Sequence, residues 1–416
     1  METTTPKIQP LRGSERMVIL DFLRGLAIFG ILVVNMNWYN APLFAQMGDM
    51  IPWQDAPNKL ALLFIKIFFE SKFYPLFSVL FGLGFYYFMQ KATEDTGPVM
   101  FRYRMRLLYL LLFGILHVVF FWHGDILIIY ALFGFVMTWF YKKSNKTLIV
   151  WIVLFFALPS LMIVAMVALL QFAMQIPEAA EGIAQGFAGQ ERYAREFIAR
   201  AYEVYTTGSF MEIMRVRLTD YLHALNGIIF AFPNVMSLFL IGLLMGRKQV
   251  FRSLPHALGV LRRLFFWCLP LAIVFNGMYV YASITGSFIQ PDWNMAAMVV
   301  GGLIGGPAQM FVYMYLAAWL YHKGVFGRLA GAVESVGRMA FTNYLAHTII
   351  VTTIFYSYGL GLYGQVNYWQ GLLLAVPIYV LQLMWSPYWL KRFRFGPFEW
   401  LWRTATYGKR QPFRRD

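Results

Sequence analysis

From Met17 to Asn40 the chain reads MVILDFLRGLAIFGILVVNMNWYN, one of many apolar runs close to twenty residues long. A helix crossing the roughly 30 Å hydrocarbon core needs about 20 such residues, and lipid supplies no partner for exposed backbone groups. Runs of this kind, repeated through a chain that is 59% hydrophobic and 13% charged, leave one fold class: an all-α, polytopic membrane helix bundle. About ten transmembrane helices are expected, within a single membrane domain covering 1–416. The lone cysteine, Cys268, lies inside an apolar run, so neither an internal disulfide nor a thiolate metal site can form, and no metal is expected. A net charge of +15 invites a nucleic-acid reading, but the basic residues concentrate in short loops between apolar runs. Membrane topology accounts for them, and no nucleic-acid partner is expected.

The first span, 17–40, follows a short polar start with no small-residue cleavage site after it, and reads as a retained anchor. Residues 41–72 form an outer loop whose later part, LALLFIKIFFE, is too short to cross and is expected to be interfacial. Further spans are expected at 73–90, 106–121, 125–141, 148–175, 226–246, 264–283, 295–321, 338–358 and 369–390. An insertion at 176–221 carries Tyr193, Phe197, Tyr202 and Tyr205 at helical spacing, the mark of an amphipathic surface helix. Residues 391–416 are a basic tail. Most of the 35 lysines and arginines then fall on one side, including Lys7, Arg12, Arg16, Lys91, Lys142, Lys143, Arg247, Lys248 and the tail. By the positive-inside rule that side is cytoplasmic and holds both termini. An additional span at 60–69 would put the basic tail outside. The localisation that follows is a bacterial inner membrane, crossed many times.

Polar groups at membrane depth are costly and turn toward protein. Asp21, Arg24 and Asn35 share one face of the first span. Asp21 and Arg24 can neutralise each other across one turn. Alternatively, Arg24 joins Arg102, Arg104, Arg106 and Arg338 in a cationic mouth, suited to a phosphorylated ligand or to anionic lipid head groups. Counting about 1.5 Å per residue outward from Arg24 and Arg106, Asn35 and His117 lie at one level, with Asp125 just above. Asp125 reads as a helix N-cap or as the partner of His117. His117, an imidazole in an apolar helix, is the leading candidate for a general base. On the ninth span Asn343 and His347 are i, i+4 neighbours, either a relay or a packing hydrogen bond. No GxSxG, P-loop or HExxH is present, and no haem signature accompanies the two histidines.

Five blocks carry a resemblance: LDFLRGLAIFGILVVN, KFYPLFSVLFGLGF, GILHVVFFWHGDILIIYA, GRMAFTNYLAHTIIVTTIFY and GPFEWLWR. In this order, from residue 20 to residue 403, they resemble the YeiB-like family of bacterial inner-membrane proteins, a domain of unknown function loosely called transport-related. More distantly, LDxxRGxAxxxxxxxN resembles the first helix of transmembrane acyltransferases, including the heparan-α-glucosaminide N-acetyltransferases and the O-acyltransferases of bacterial glycans. That likeness implies a ten-helix core passing an acyl group from a cytoplasmic donor to an acceptor on the far side. It places Asp21, Arg24 and Asn35 in the first-helix motif. The glucosaminide enzymes carry their catalytic histidine just after that helix, whereas residues 36–72 here contain none, so His117 has to substitute. His347 stands where the YeiB-like pattern usually has Gln.

The function expected is transfer of an acyl group. Asp21, Arg24, Arg106, Arg338, Asn343 and His347 would bind substrate, and His117, oriented by Asn35 or Asp125, would act as base. Acyl-coenzyme A or a similar donor is the expected co-substrate, with no resident cofactor. Membrane lipids and a small-molecule substrate are the expected partners; the small pair Ser78 and Gly82 suits close helix contact, and small-residue faces in general leave a homodimer open. A transporter or exporter, and a non-catalytic assembly protein, are the competing classes.

Overall fold

A computed structural model describes residues 18–46, 52–90, 97–286 and 291–415; Lys7, Arg12, Arg16 and Lys91, which entered the charge argument, and part of the 41–72 loop lie outside them. Fifteen α-helices and no strands occur among the described residues. They form a helical membrane bundle, and each expected span coincides with a helix. These are α1 (Val18–Asn40), α3 (Phe73–Met89), α4 (Gly97–Phe120), α5 (Leu127–Met137), α6 (Asn145–Ala173), α9 (Ile228–Arg247), α10 (Leu254–Thr285), α11 (Trp293–His322), α13 (Ala340–Phe355) and α14 (Tyr368–Arg392). The helices α1, α4, α6, α10, α11 and α14 are long and apolar enough to cross a membrane; α5, α9 and α13 are shorter apolar helices. The remaining five are α2 (Ala56–Phe68), α7 (Pro177–Thr207), α8 (Phe210–Leu225), α12 (Arg328–Arg338) and α15 (Pro397–Tyr407).

Burial follows position in the bundle. Helix α1 is sheathed on most sides, with Phe22, Ala27, Leu32 and Val33 fully buried, whereas α10 exposes Trp267, Ile273, Val274 and Tyr281. Exposed apolar faces on a bundle this hydrophobic suit lipid as their neighbour. The insertion is helical as expected: α7 and α8 cover the end of the bundle opposite the start of α1. Helix α8 opens on a Ser209/Glu212 capping box, which satisfies the first free N–H groups reciprocally.

Two features depart from the sequence reading and a third specifies it. Helix α2 is tied at its end into the bundle and does not lie free along its length. Its last turn abuts the middles of α10 and α11, where Asn276 donates to the Ile67 carbonyl, Gln309 to the same carbonyl and Tyr313 to that of Phe68. The buried Lys72 ammonium donates to the Lys66 carbonyl and to Asn276 Oδ1 at 2.8 Å. Helix-end carbonyls lose their intrahelical partners, and away from water side chains must replace them. Second, Arg338 ends α12 instead of starting the ninth span. The spanning helix begins at Ala340, after a break at Met339. Third, the Ser78/Gly82 pair is used within the chain, for Ser78 bonds Tyr130 at 2.7 Å and a Cβ on Gly82 would meet the Phe239 carbonyl.

Candidate functional site

The arginine-rich end of the bundle is assembled by a close helix crossing. A Cβ on Gly337 would stand 1.8 Å from the Asp21 carbonyl, and one on Gly25 would stand 2.1 Å from that of Val333. Only glycine on both helices lets α1 and α12 approach so far, and the residues beside these glycines, Arg24 and Arg338, are thereby brought to one place. The tail adds a third wall. Glu399, at the start of α15, accepts from the Phe341 and Thr342 amides at 2.7 and 3.0 Å, capping α13 from a distant part of the chain. Burial raises the Glu399 carboxyl above its ordinary range, against the pull of those hydrogen bonds. Trp402 donates to the Arg106 carbonyl, and the Arg106 guanidinium lies 3.7 Å over the Trp402 ring.

Between these walls lies a half-open cavity of about 410 Å³. Asp21, Arg24, Arg106, Arg338, Glu399 and Arg403 line it at the basic end, and Leu80, Phe81, Leu110, Leu127, Tyr130 and Tyr344 line its depth. From Leu20 to Ile31 along α1 it runs about 16 Å, at 1.5 Å per residue. Asp21 is 2% exposed and pairs with Arg24 at 2.8 Å. The paired Arg24 also faces the cavity, so neutralising Asp21 and lining the mouth are compatible. Four guanidiniums against two carboxylates leave the lining cationic, and a guanidinium fork matches a phosphate or carboxylate. Arg102 and Arg104, expected in the same mouth, do not line it.

Beyond Tyr344 stands a second group. His117 Nδ1 lies 2.8 Å from Asp125 Oδ2, and its Nε2 lies 2.9 Å from Thr348 Oγ. Tyr39 OH completes the chain, 2.7 Å from the same Thr348 oxygen. All four residues are buried. Asp125 Oδ1 also accepts from the Ile128 amide at 2.8 Å, so its capping and pairing roles coexist. Glycine again permits the geometry: a Cβ on Gly114 would meet Asp125 Oδ1 at 2.9 Å and Ile128 at 2.7 Å. The Tyr344 ring lines the cavity and lies 5.4 Å from the His117 ring, so one side chain separates the two groups.

The other expected site residues fall elsewhere. Asn35 is half-buried and does not orient His117, whose two ring nitrogens are already taken by Asp125 and Thr348. Asn343 and His347 do not bond each other. His347 pairs with Gln382 at 2.8 Å, Asn343 donates to Ser386 and to the Val336 carbonyl, and both tie α13 to α14 away from the cavity. Sequence reasoning missed Thr348, Tyr39, Tyr344, Glu399 and Arg403. Of these only Glu399 carried a signal, as the acid following Gly-Pro at a helix start. Hydroxyls and rings on apolar helices give none. Among the described residues no cluster of His, Cys, Asp or Glu could hold a metal ion.

Residues 245–409 match the family described as "Protein of unknown function (DUF418)". Over 97% of this chain and 98% of the relative, the sequence is 36% identical to the "Uncharacterized protein YxaH" of Bacillus subtilis (strain 168). It is 29% identical to the "Uncharacterized 39.9 kDa protein in amylase 3'region" of Bacillus acidopullulyticus, over 97% of this chain and 98% of that one. It is 27% identical to the "Uncharacterized protein YeiB" of Escherichia coli (strain K12), over 94% and 96%. No solved structure matches the chain. Likeness along nearly the whole length, joined to the helical membrane bundle, establishes that this chain belongs to the YeiB-like DUF418 family of membrane proteins.

Proposed function

We propose that the protein transfers an acyl group across the membrane, taking it from an anionic cytoplasmic donor of the acyl-coenzyme A type and delivering it to a hydroxyl or amine on the outer side. One observation carries this reading: a cavity with arginines at its mouth and an apolar depth ends one aromatic ring short of a buried Asp125–His117 pair. Arg24, Arg106, Arg338 and Arg403 would hold the donor's phosphates, and the apolar depth would take its thioester end. His117, polarised by Asp125, would remove a proton from the attacking group, a contribution typically worth 10² to 10⁴ in rate. The thioester itself would not cross, since donor and acceptor meet at depth. In this reading ten spans cross a bacterial inner membrane with both termini cytoplasmic.

The test is release of coenzyme A from acetyl-coenzyme A by the purified full-length protein in nanodiscs, across a panel of sugar and amine acceptors. Acceptor-dependent release is expected, falling by about 10² to 10⁴ in His117→Ala and needing more donor in Arg24→Ala. Wild type indistinguishable from His117→Ala would refute it. A second reading, transport, draws on the break between α2 and α3, where Lys72 meets Asn276 and the carbonyls of Ile67 and Phe68 meet Asn276, Gln309 and Tyr313. Broken helices at membrane depth often hold transported substrates. Counterflow in liposomes without covalent change would favour it.

A further inference from the structure

We infer that Thr348 is an acyl-carrying nucleophile, so that the transfer proposed above, on which this rests, proceeds in two steps through an ester on its Oγ. Thr348 departs from the habit of its own helix. Thr352 and Thr353 each return their hydroxyl to the carbonyl four residues back, at 2.8 and 2.7 Å. That is the usual way a helix threonine satisfies itself. Thr348 instead turns its hydroxyl outward to His117 Nε2 and Tyr39 OH.

With Asp125 ionised and the His117 ring neutral, the state the two-step route uses, valence assigns the directions of these bonds. The Asp125 carboxylate can only accept, so His117 Nδ1 carries the proton and, in the neutral ring, Nε2 is an acceptor. Thr348 therefore donates to Nε2 along the 2.9 Å contact. Its single proton is then committed, so Tyr39 must donate to Thr348 Oγ across 2.7 Å. An acid orienting an imidazole that accepts from a hydroxyl is the arrangement that activates a nucleophile, wherever it occurs in a fold. Tyr344 lies one helical turn before Thr348 on the same face, and it lines the cavity. Tyr344 thus stands between the cavity and the buried Thr348 oxygen, and the two-step route requires this ring to turn aside when the donor is bound.

The chemistry balances within the site. Thr348 Oγ forms a bond to the thioester carbonyl carbon while its proton passes to His117 Nε2; the C–S bond breaks, and the thiolate takes that proton. In the second step an acceptor hydroxyl or amine gives its proton to His117 and attacks the ester carbonyl. The C–O bond to Thr348 then breaks and the threonine regains the proton. Asp125 remains a carboxylate throughout, opposite the transient imidazolium.

The experiment incubates the full-length protein in nanodiscs with acetyl-coenzyme A and no acceptor, followed by acid quench, digestion and mass spectrometry. An acetyl group on the peptide holding Thr348 is expected in wild type and in Thr348→Ser, but not in Thr348→Val. Coenzyme A release in Thr348→Val should fall by about 10² or more. If Thr348→Val does not fold, the acylated peptide of wild type and of Thr348→Ser decides the matter. Acceptor-dependent transfer by wild type with Thr348 unmodified, or by Thr348→Val at the wild-type rate, would overturn the two-step route while leaving the transferase reading standing. No modification and no coenzyme A release from wild type would overturn both.

Discussion

Asp125 joins the start of α5 to the imidazole on α4 through its two oxygens, one on the Ile128 amide and one on His117 Nδ1. Replacing it by Asn keeps the shape and the capping oxygen but offers the ring an N–H, which reverses the tautomer and leaves Nε2 unable to accept from Thr348. Coenzyme A release by Asp125→Asn is expected to fall by about 10⁴, with little change in the thermal midpoint. Unchanged release would show that the pair only holds two helices together. His117 announced itself because an imidazole in an apolar run needs partners, whereas Thr348 was silent because a helix threonine can satisfy itself locally.

Among the elements, the α7–α8 insertion and the α15 tail each carry an acid with a separate consequence. Asp220 on α8 accepts from Tyr205 at 3.0 Å, beside Arg217 and 3.8 Å from His123. Burial pushes its carboxyl up to about 7, while burial and Arg217 push His123 down to about 3. A carboxyl raised in the folded state stabilises fully below its unfolded value, near 3.9, and that contribution is lost as pH climbs through about 7. The thermal midpoint of Asp220→Asn should therefore gain on wild type as pH rises from about 4 to 8. Parallel curves for the two proteins would sink the idea. Glu399 caps α13 from α15, and Glu399→Ala should lower stability by about 1–3 kcal/mol, because two helix-start amides lose a charged acceptor. Denaturation of that variant in detergent measures it, and a change under 0.5 kcal/mol would argue that water replaces the carboxylate.

For the whole molecule, the order of helices and the placement of basic residues make a topology that one chemical test resolves. The chain has a single cysteine, so Cys268→Ser gives a blank background. In it, Lys143→Cys, in the turn before α6, should react with an impermeant maleimide only after cells are opened, and Gly189→Cys, on α7, should react in intact cells. Gly189 is open around its Cα, so a side chain fits there without strain. The reverse pattern would invert the orientation inferred from charge.

The membrane helices were legible in the sequence because a backbone in lipid must satisfy itself within each segment, so every apolar run of sufficient length had to be a helix. The cationic mouth was legible in part: Arg24, Arg106 and Arg338 were named from their place at helix starts and ends, and all three line the cavity. What periodicity could not reach was the rotation and approach of one helix against another. Packing decided that, through the contacts of Gly25 with Val333, Gly337 with Asp21 and Gly114 with Asp125. The packed bundle also leaves Asn35 away from His117, pairs His347 with Gln382 and brings His117 to Thr348, a partner 231 residues away in the chain. Segment length and polarity act within a helix and can be read along the chain, whereas a helix face has meaning only once its neighbour is in place.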